Sequence, residues 1–301
     1  MNRRRRFMVV LANQGGVSAY TISGTVYDAD GSTPVAGATV ALGALSAVSG
    51  ADGTYTISNV PTGTSGSMTC TKTGYSWTAI TVSAMSGNLT GQDYDNAWWA
   101  GGGCAAICVA AYKPRGAGSL ASSYVNLVNP GTNNATVGVA PTLVENGWSS
   151  IGAARLGTGI TPNQNYSMVA KISGWTSTPQ GGNQVMGQGT TGAQQIIIPQ
   201  RLTSNNRAIY GTVADDHALM TDGVLALCAN KVYQNGVLIS TISSAFGTPT
   251  NAIGLMGIND GATACVATYT KEYAAIYNAD ASAYMASIYA GILYDISQTP
   301  P

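Results

Sequence analysis

The chain has 301 residues, of which 45% are hydrophobic and 9% are charged, and its formal net charge is zero. These values exclude a disordered chain, which combines low hydrophobicity with high net charge, and they disfavour a charge-rich helical protein. The 38 glycines favour a β protein with many turns, and the length suggests two domains of roughly 150 residues each.

Residues 1–19 predict an extended basic N-terminal arm. They contain four of the 13 basic residues of the chain, namely Arg3, Arg4, Arg5 and Arg6. The apolar run after them, residues 7–12, is shorter than the roughly 7–15 residues of a secretory signal, and no typical cleavage site follows. We therefore expect these arginines to anchor the chain on nucleic acid, an acidic neighbouring subunit or a membrane surface. The alternative is a solvated tail.

Residues 20–96 predict a small β-sandwich, because short alternating segments are separated by turn residues. The segment 20–27 alternates polar and apolar residues, and the segment 54–57 follows an Asp-Gly turn. Short strands at this spacing are typical of an Ig-like fold.

Five motifs occur in this segment in a fixed order. They are Ile22-x-Gly24-x-Val26, Pro34-Val35-x-Gly37-Ala38-x-Val40, Asp52-Gly53-x-Tyr55-x-Ile57, Val60-Pro61-x-Gly63 and Lys72-x-Gly74-Tyr75. In this order they resemble the carboxypeptidase regulatory-like domain, a transthyretin-like, Ig-like sandwich. The resemblance implies a spacer or stalk in a surface protein and implies no catalysis.

Three aspartates of the segment raise the question of a calcium site. Asp28, Asp30 and Asp52 lie in segments rich in turn-forming residues, but the further oxygen ligands and the final glutamate of an EF-hand loop are missing. We therefore favour turn chemistry for all three and predict no metal.

Residues 97–111 predict a glycine-rich linker. The triple glycine 101–103 indicates either a hinge or a close approach of two backbones. The preceding pair, Trp98 and Trp99, favours an interdomain or intersubunit contact over a sugar platform.

The five cysteines form no metal-ligand pattern. They are Cys70, Cys104, Cys108, Cys228 and Cys265. Cys104 and Cys108 could form a disulfide, but we favour buried free thiols and assembly in a reducing cytoplasm over export.

Residues 112–301 predict a larger β-sandwich with an Asn-Gly hairpin turn at 235–236 and one helix, over 280–293. Its landmarks are Leu156-x-Thr158-Gly159-Ile160, Tyr166-Ser167-Met168-Val169, Tyr233-x-Asn235-Gly236, the turn Asn259-Asp260-Gly261, and the strand from Glu272 to Asn278. These resemble the concanavalin A-like, laminin-G-like jelly roll, a family that includes lectins, hydrolases and structural modules. The segment 112–127 also resembles stretches of bacteriophage tail and virion proteins.

We identify no catalytic, cofactor-binding or metal-binding residues in the sequence. The two glutamates, Glu145 and Glu272, form no carboxylate motif, and His217 has no nucleophile motif near it. Asp215, Asp216 and Asp222 with Asn230 would hold a cation only if their loops converged, so a solvated acidic loop is favoured. We expect a protein that is not an enzyme and uses no cofactor.

The sequence supports two hypotheses of function. The first is a structural protein of a phage virion, a tail, fibre or capsid decoration component that contacts other virion subunits and itself and displays its sandwiches outward, with host-surface glycans as further partners. The second is a secreted bacterial cell-surface adhesin that binds carbohydrate. Candidate glycan contacts are Trp148 and Trp175, for which core packing is the alternative. No run of about 18 apolar residues is present, so we expect no membrane span.

Overall fold

The computed structural model of the protein describes residues 19–150, 154–176, 184–189, 195–201, 205–218, 222–247, 249–257 and 268–298. The predicted fold class is confirmed, since a small Ig-like β-sandwich is followed by a larger jelly-roll sandwich. The predicted anchor residues Arg3, Arg4, Arg5 and Arg6 lie outside the described residues.

The first sandwich consists of two sheets. Its strands are β1 (Ala19–Tyr27), β2 (Thr39–Leu42), β3 (Leu45–Val48), β4 (Thr54–Pro61), β5 (Gly66–Thr71), β6 (Ile80–Val82) and β7 (Tyr94–Asp95). One sheet has the order β4-β1-β7 and the other β3-β2-β5-β6. All pairs are antiparallel except β1 with β7.

The alternation in the sequence determines the core of this sandwich. Along β4 the side chains of Tyr55, Ile57 and Val60 are buried while their neighbours are exposed, as expected for a strand with one face on the core. Tyr94 is buried with them, and its hydroxyl donates a hydrogen bond to the Met68 carbonyl oxygen at 2.7 Å.

The larger sandwich also consists of two sheets. Its strands are β8 (Cys108–Tyr112), β9 (Thr136–Val139), β10 (Thr142–Val144), β11 (Gly147–Ser150), β12 (Arg155–Gly157), β13 (Ser167–Thr176), β14 (Gln184–Gln188), β15 (Gln195–Arg201), β16 (Asn205–Gly211), β17 (Val213–Ala218), β18 (Gly223–Cys228), β19 (Lys231–Gln234), β20 (Val237–Thr241), β21 (Gly254–Met256) and β22 (Thr268–Tyr277). One sheet has the order β10-β11-β22-β13-β18-β19-β20, with β8 also on β22, and the other β17-β16-β15-β14-β21-β12-β9. The predicted hairpin turn joins β19 to β20, and Asn235 and Gly236 both have positive φ.

The strand β22 is buried on both faces. One face contributes Ile276 to the core between the two sheets, and the other contributes Tyr273 and Tyr277 to a second apolar cluster. That second cluster is covered by helix α2 (Met285–Gln298) and by a 3-10 helix, Trp98–Gly103. A further short helix, α1 (Leu120–Ser123), and 3-10 turns at Ala105–Ile107 and Ser282–Tyr284 complete the described helices.

The predicted C-terminal helix is present but begins later than expected. Asp280 accepts a hydrogen bond from the Ser282 backbone N–H at 2.9 Å, so it lies at the start of the 3-10 turn that precedes α2. The helix then continues to Gln298, beyond the predicted end.

The segment 97–111, expected as a linker, holds the 3-10 helix and the strand β8, which pairs with β22. Its glycines allow the close backbone approach that was one of the two alternatives. A Cβ atom on Gly101 would lie 2.7 Å from the Ser287 carbonyl of α2, and one on Gly291 would lie 2.7 Å from Ala29 Cβ. The domain boundaries drawn from the sequence stay predictions.

We predict that Gly101→Ala destabilises the protein by about 2 kcal/mol, because the added methyl group overpacks the contact with α2. Gly101 has φ −50° and ψ 135°, a conformation that alanine adopts freely, so the loss would come from the contact alone. Urea unfolding followed by tryptophan fluorescence measures it. The matched control is Gly118→Ala, where no atom lies within 4 Å of the position that the added methyl group would take; an equal loss in both variants would contradict the prediction.

Candidate functional site

A cleft of about 350 Å³ lies where the two sandwiches meet. The first sandwich and the segment after it contribute Ala29, Thr78, Asp95, Asn96, Ala97, Trp98 and Trp99. The larger sandwich contributes Lys113, Leu127, Gly291, Tyr294, Asp295 and Gln298. Binding sites for small molecules occur preferentially at such junctions between domains.

Two tryptophans contribute to the apolar part of the cleft. Trp98 is 5% exposed and packs edge-on against Tyr273 of β22, with ring centroids 5.2 Å apart and an interplanar angle of 81°. Trp99 is adjacent in the second apolar cluster, and its carbonyl oxygen accepts a hydrogen bond from the Tyr277 hydroxyl at 3.0 Å. The expected interdomain contact of this tryptophan pair agrees with this position between the sandwiches.

Two hydrogen-bonded groups form the polar part of the cleft. The Asp295 carboxylate lies 2.6 Å from the Lys113 ammonium and accepts a hydrogen bond from the Tyr273 hydroxyl at 2.6 Å. Burial, together with the neighbouring Asp295 carboxylate, raises the pKa of Tyr273, so its hydroxyl keeps the proton that it donates. Across the cleft, the Tyr294 hydroxyl lies 3.0 Å from the Asp95 carboxylate and donates to it.

Behind the cleft, the buried carboxylate of Asp28 joins the two sandwiches. It accepts hydrogen bonds from the Ala29 N–H at 2.7 Å, from the Asn96 side-chain amide at 2.9 Å and from the Gly102 N–H at 2.9 Å. Asp30 and Asp52 instead accept from residues of their own turns, Thr33 and Thr54. Turn chemistry thus explains Asp30 and Asp52, whereas Asp28 has a long-range structural role.

The two predicted glycan contacts lie in the core, which corrects that prediction. Trp148 is 0% exposed, packs between Tyr112 and Tyr124, and donates to the Ser123 hydroxyl at 2.7 Å. Trp175 is 1% exposed and packs against Tyr269. An indole stacks on a sugar only where its face is open, so neither ring offers such a surface here; both fulfil the alternative of core packing.

The acidic residues considered for a cation have separate partners. Asp216 pairs with Arg207 at 2.6 Å, Asp215 lies 3.1 Å from His217, and Asp222 accepts from the Gly174 N–H at 2.6 Å. The Asn230 amide donates to the Ile242 carbonyl oxygen. Over the described part of the chain, no group of three or more histidine, cysteine or acidic side chains has the arrangement of a metal site.

The described cysteines are buried free thiols, as predicted. They are Cys70, Cys104, Cys108 and Cys228; Cys265 lies outside the described residues. Burial raises the pKa of Cys104 and Cys228 to about 12, so both thiols stay protonated at neutral pH and act as small apolar side chains.

A buried charge cluster was missed by sequence reasoning, which gave Glu272 an edge or solvent role. The Glu272 carboxylate lies 3.1 Å from both Arg115 and Lys171, and its side chain is 5% exposed. Arg115 also donates to the Asn146 side-chain oxygen at 2.5 Å. The next residue, Lys271, is buried on the opposite face of β22 and donates to the backbone carbonyl oxygens of Val185 and Leu255 in the other sheet.

We predict that Glu272→Gln lowers the free energy of unfolding by about 3 kcal/mol, because it leaves two buried cations without their carboxylate. The matched control is Asp216→Asn, which removes the exposed pair with Arg207, whose side chains are 31% and 41% exposed, and should cost less than about 1 kcal/mol. Urea unfolding of both variants is the measurement. Equal losses would show that the Glu272 cluster has no special stabilising role.

The end strands of the larger sandwich expose aliphatic side chains. On β20 these are Val237, Leu238 and Ile239, at 65%, 48% and 39% exposure; the others are Val137 and Val139 on β9, Val144 on β10 and Val213 on β17. Natural edge strands usually carry charges or prolines that prevent pairing with another chain. The strands β9, β10 and β20 contain no charged residue.

The family model of the carboxypeptidase regulatory-like domain matches residues 21–93, so the first sandwich is a domain of this kind. No curated protein sequence matches the chain. Among the helices that the structure describes, none has the length and apolar character needed to cross a membrane.

Two solved structures are similar to parts of the chain. One is Trypanosoma rangeli sialidase in complex with sialic acid, with a TM-score of 0.45 and 15% identity, covering 62% of this chain and 33% of the sialidase. The other is domain 4 of an extracellular arabinanase from Geobacillus stearothermophilus in complex with arabinotriose, with a TM-score of 0.45 and 15% identity, covering 60% of this chain and 98% of that domain. The chain thus spans about a third of the length of the sialidase.

Proposed function

We propose that this chain is a non-enzymatic structural protein of a phage virion, a tail, fibre or capsid decoration component. Residues 1–19 anchor it in the particle, and the two sandwiches are displayed outward, where they contact host-surface glycans. The observation that carries the structural role is the set of exposed, uncharged end strands on the larger sandwich.

These end strands suit repeated assembly for a physical reason. Each has one row of backbone N–H and C=O groups facing away from its sheet, and the aliphatic side chains beside that row gain stability when a second strand covers them. The absence of charge on β20 removes the desolvation cost of burying an ion. We infer that β20 pairs with β20 of a second copy, since an antiparallel pair of identical strands satisfies a two-fold axis.

Leu238→Lys should shift the protein from oligomer to monomer, because a lysine on an edge strand opposes pairing. Size-exclusion chromatography with light scattering measures the mass. The matched control is Leu293→Lys, which places the same charge at an exposed position of α2, where Leu293 is 45% exposed, and should leave the oligomer intact. A monomeric wild-type protein, or equal dissociation of both variants, would contradict edge pairing.

The proposed anchor is tested by deletion of residues 2–16. The deletion should abolish incorporation into particles while leaving both sandwiches folded, because the described strands begin at Ala19. Nuclease-treated material is separated on a density gradient and the chain is located by peptide mass spectrometry. Replacing only Arg3, Arg4, Arg5 and Arg6 with glutamine is the control that separates charge from length. Normal incorporation of the deletion variant would exclude the anchor.

A bacterial cell-surface adhesin that binds carbohydrate is the second candidate. The cleft between the sandwiches favours it, because its lining combines aromatic rings with carboxylate, ammonium and amide groups, which suit a polyhydroxylated ligand. The same density-gradient experiment separates the candidates: recovery in envelope fractions, with the basic arm removed, would favour the adhesin.

A further inference from the structure

We propose that the cleft between the two sandwiches binds a neutral saccharide unit of a surface glycan. This inference rests on the glycan recognition included in the proposed function, and it assigns that recognition a site. Its volume of about 350 Å³ lies in the range of roughly 300–1,000 Å³ that is typical of small-molecule sites.

The distribution of apolar and polar groups in the cleft matches a sugar ring. Ala29, Trp98, Trp99 and Leu127 are its apolar lining, and the C–H face of a pyranose packs against such groups. The hydroxyls of the ring both donate and accept, so they pair with the carboxylate of Asp95, the hydroxyl of Tyr294 and the side-chain amide of Gln298. Indole Nε1 of Trp98 is buried and has no hydrogen-bond partner within the described residues, which leaves one donor for a ligand oxygen.

The charges of the lining select against anionic sugars. The cleft is lined by two carboxylates, Asp95 and Asp295, and one ammonium, Lys113. The ammonium lies 2.6 Å from Asp295, so the carboxylate of Asp95, hydrogen-bonded by the neutral Tyr294, is the lining group without a compensating cation. A carboxylate on the ligand would be repelled there, whereas a neutral hydroxyl would donate to it.

The site also explains why both sandwiches are needed. Asp95 ends β7 of the first sandwich, and Tyr294 lies on α2, which covers the larger sandwich. Their side chains meet because Gly31 and Gly291 have no Cβ. A Cβ on Gly31 would lie 2.2 Å from the Tyr294 ring. Neither sandwich alone contains the full set of groups that the saccharide would contact.

The test is titration of the full chain with neutral and anionic oligosaccharides. The neutral probes are maltotriose, cellotriose, N-acetylchitotriose and lactose, and the anionic probe is 3′-sialyllactose. Saturation-transfer NMR detects binding and isothermal titration gives the dissociation constant. We expect at least one neutral probe to bind with a millimolar or lower dissociation constant, and lactose to bind more tightly than its sialylated form.

Three cleft variants locate the binding. Asp95→Asn and Tyr294→Phe should each weaken binding about tenfold, which is the effect of about 1.4 kcal/mol of lost hydrogen bonding. Gln298→Ala removes an exposed side chain whose loss leaves the fold intact, so it tests the cleft even if the other two variants unfold. Asp52→Asn is the matched control, because Asp52 lies in an exposed turn outside the cleft.

Each outcome decides a different part of the inference. Weaker binding in the cleft variants with unchanged binding in Asp52→Asn supports it. Neutral-sugar binding that all three variants retain would overturn the site but preserve glycan recognition as a function. Failure of every neutral probe to bind, or tighter binding of 3′-sialyllactose than of lactose, would overturn the inferred ligand, while the oligomer and incorporation experiments would still decide the structural role.

Discussion

The Asp28 carboxylate is the contact on which the arrangement of the two sandwiches depends. It is 7% exposed at the end of the first sandwich's central strand, and it accepts from Asn96 and from the backbone of the 3-10 helix at Gly102. A buried carboxylate is costly unless such donors surround it. The 3-10 helix is therefore held against the first sandwich, and the Asn96 side chain extends the same network to the Ala100 carbonyl and to the Ser76 N–H.

From this joint, glycines transmit the geometry to the cleft. Gly101 brings the 3-10 helix against the backbone of α2, and Gly291 brings α2 against Ala29. Gly74 meets the carbonyl of Gly103 in the same way, at a distance where a Cβ would lie 2.3 Å from the oxygen. A recess remains between these contacts because the chain has larger side chains only at its margins, so the cleft is a consequence of how closely the two sandwiches approach.

The few charges of the chain are divided unevenly between interior and edges. With 13 basic and 13 acidic residues in 301, the larger sandwich nevertheless buries Glu272, Arg115 and Lys271. Each of these buried groups has hydrogen-bonding partners, which makes the packing of β22 specific on both of its faces. The uncharged edge strands β9, β10 and β20 then lack the charges that usually discourage association, and this contrast is the basis of the proposed structural role.

The sequence by itself determined the features that depend on near neighbours: the all-β class, the carboxypeptidase regulatory-like motifs, the turns at Asp30, Asp52 and Asn235-Gly236, and the existence of the C-terminal helix. Turn chemistry and two-residue alternation act over a few residues, so they can be identified without the fold. Only the tertiary structure decided the environment of Trp148 and Trp175, the pairing of Glu272, and the cleft between Asp95 and Tyr294. The physical reason is separation along the chain: Asp95 and Tyr294 are brought together by contacts of the intervening sheets, and whether an aromatic ring is open or buried depends on which sheet packs over it.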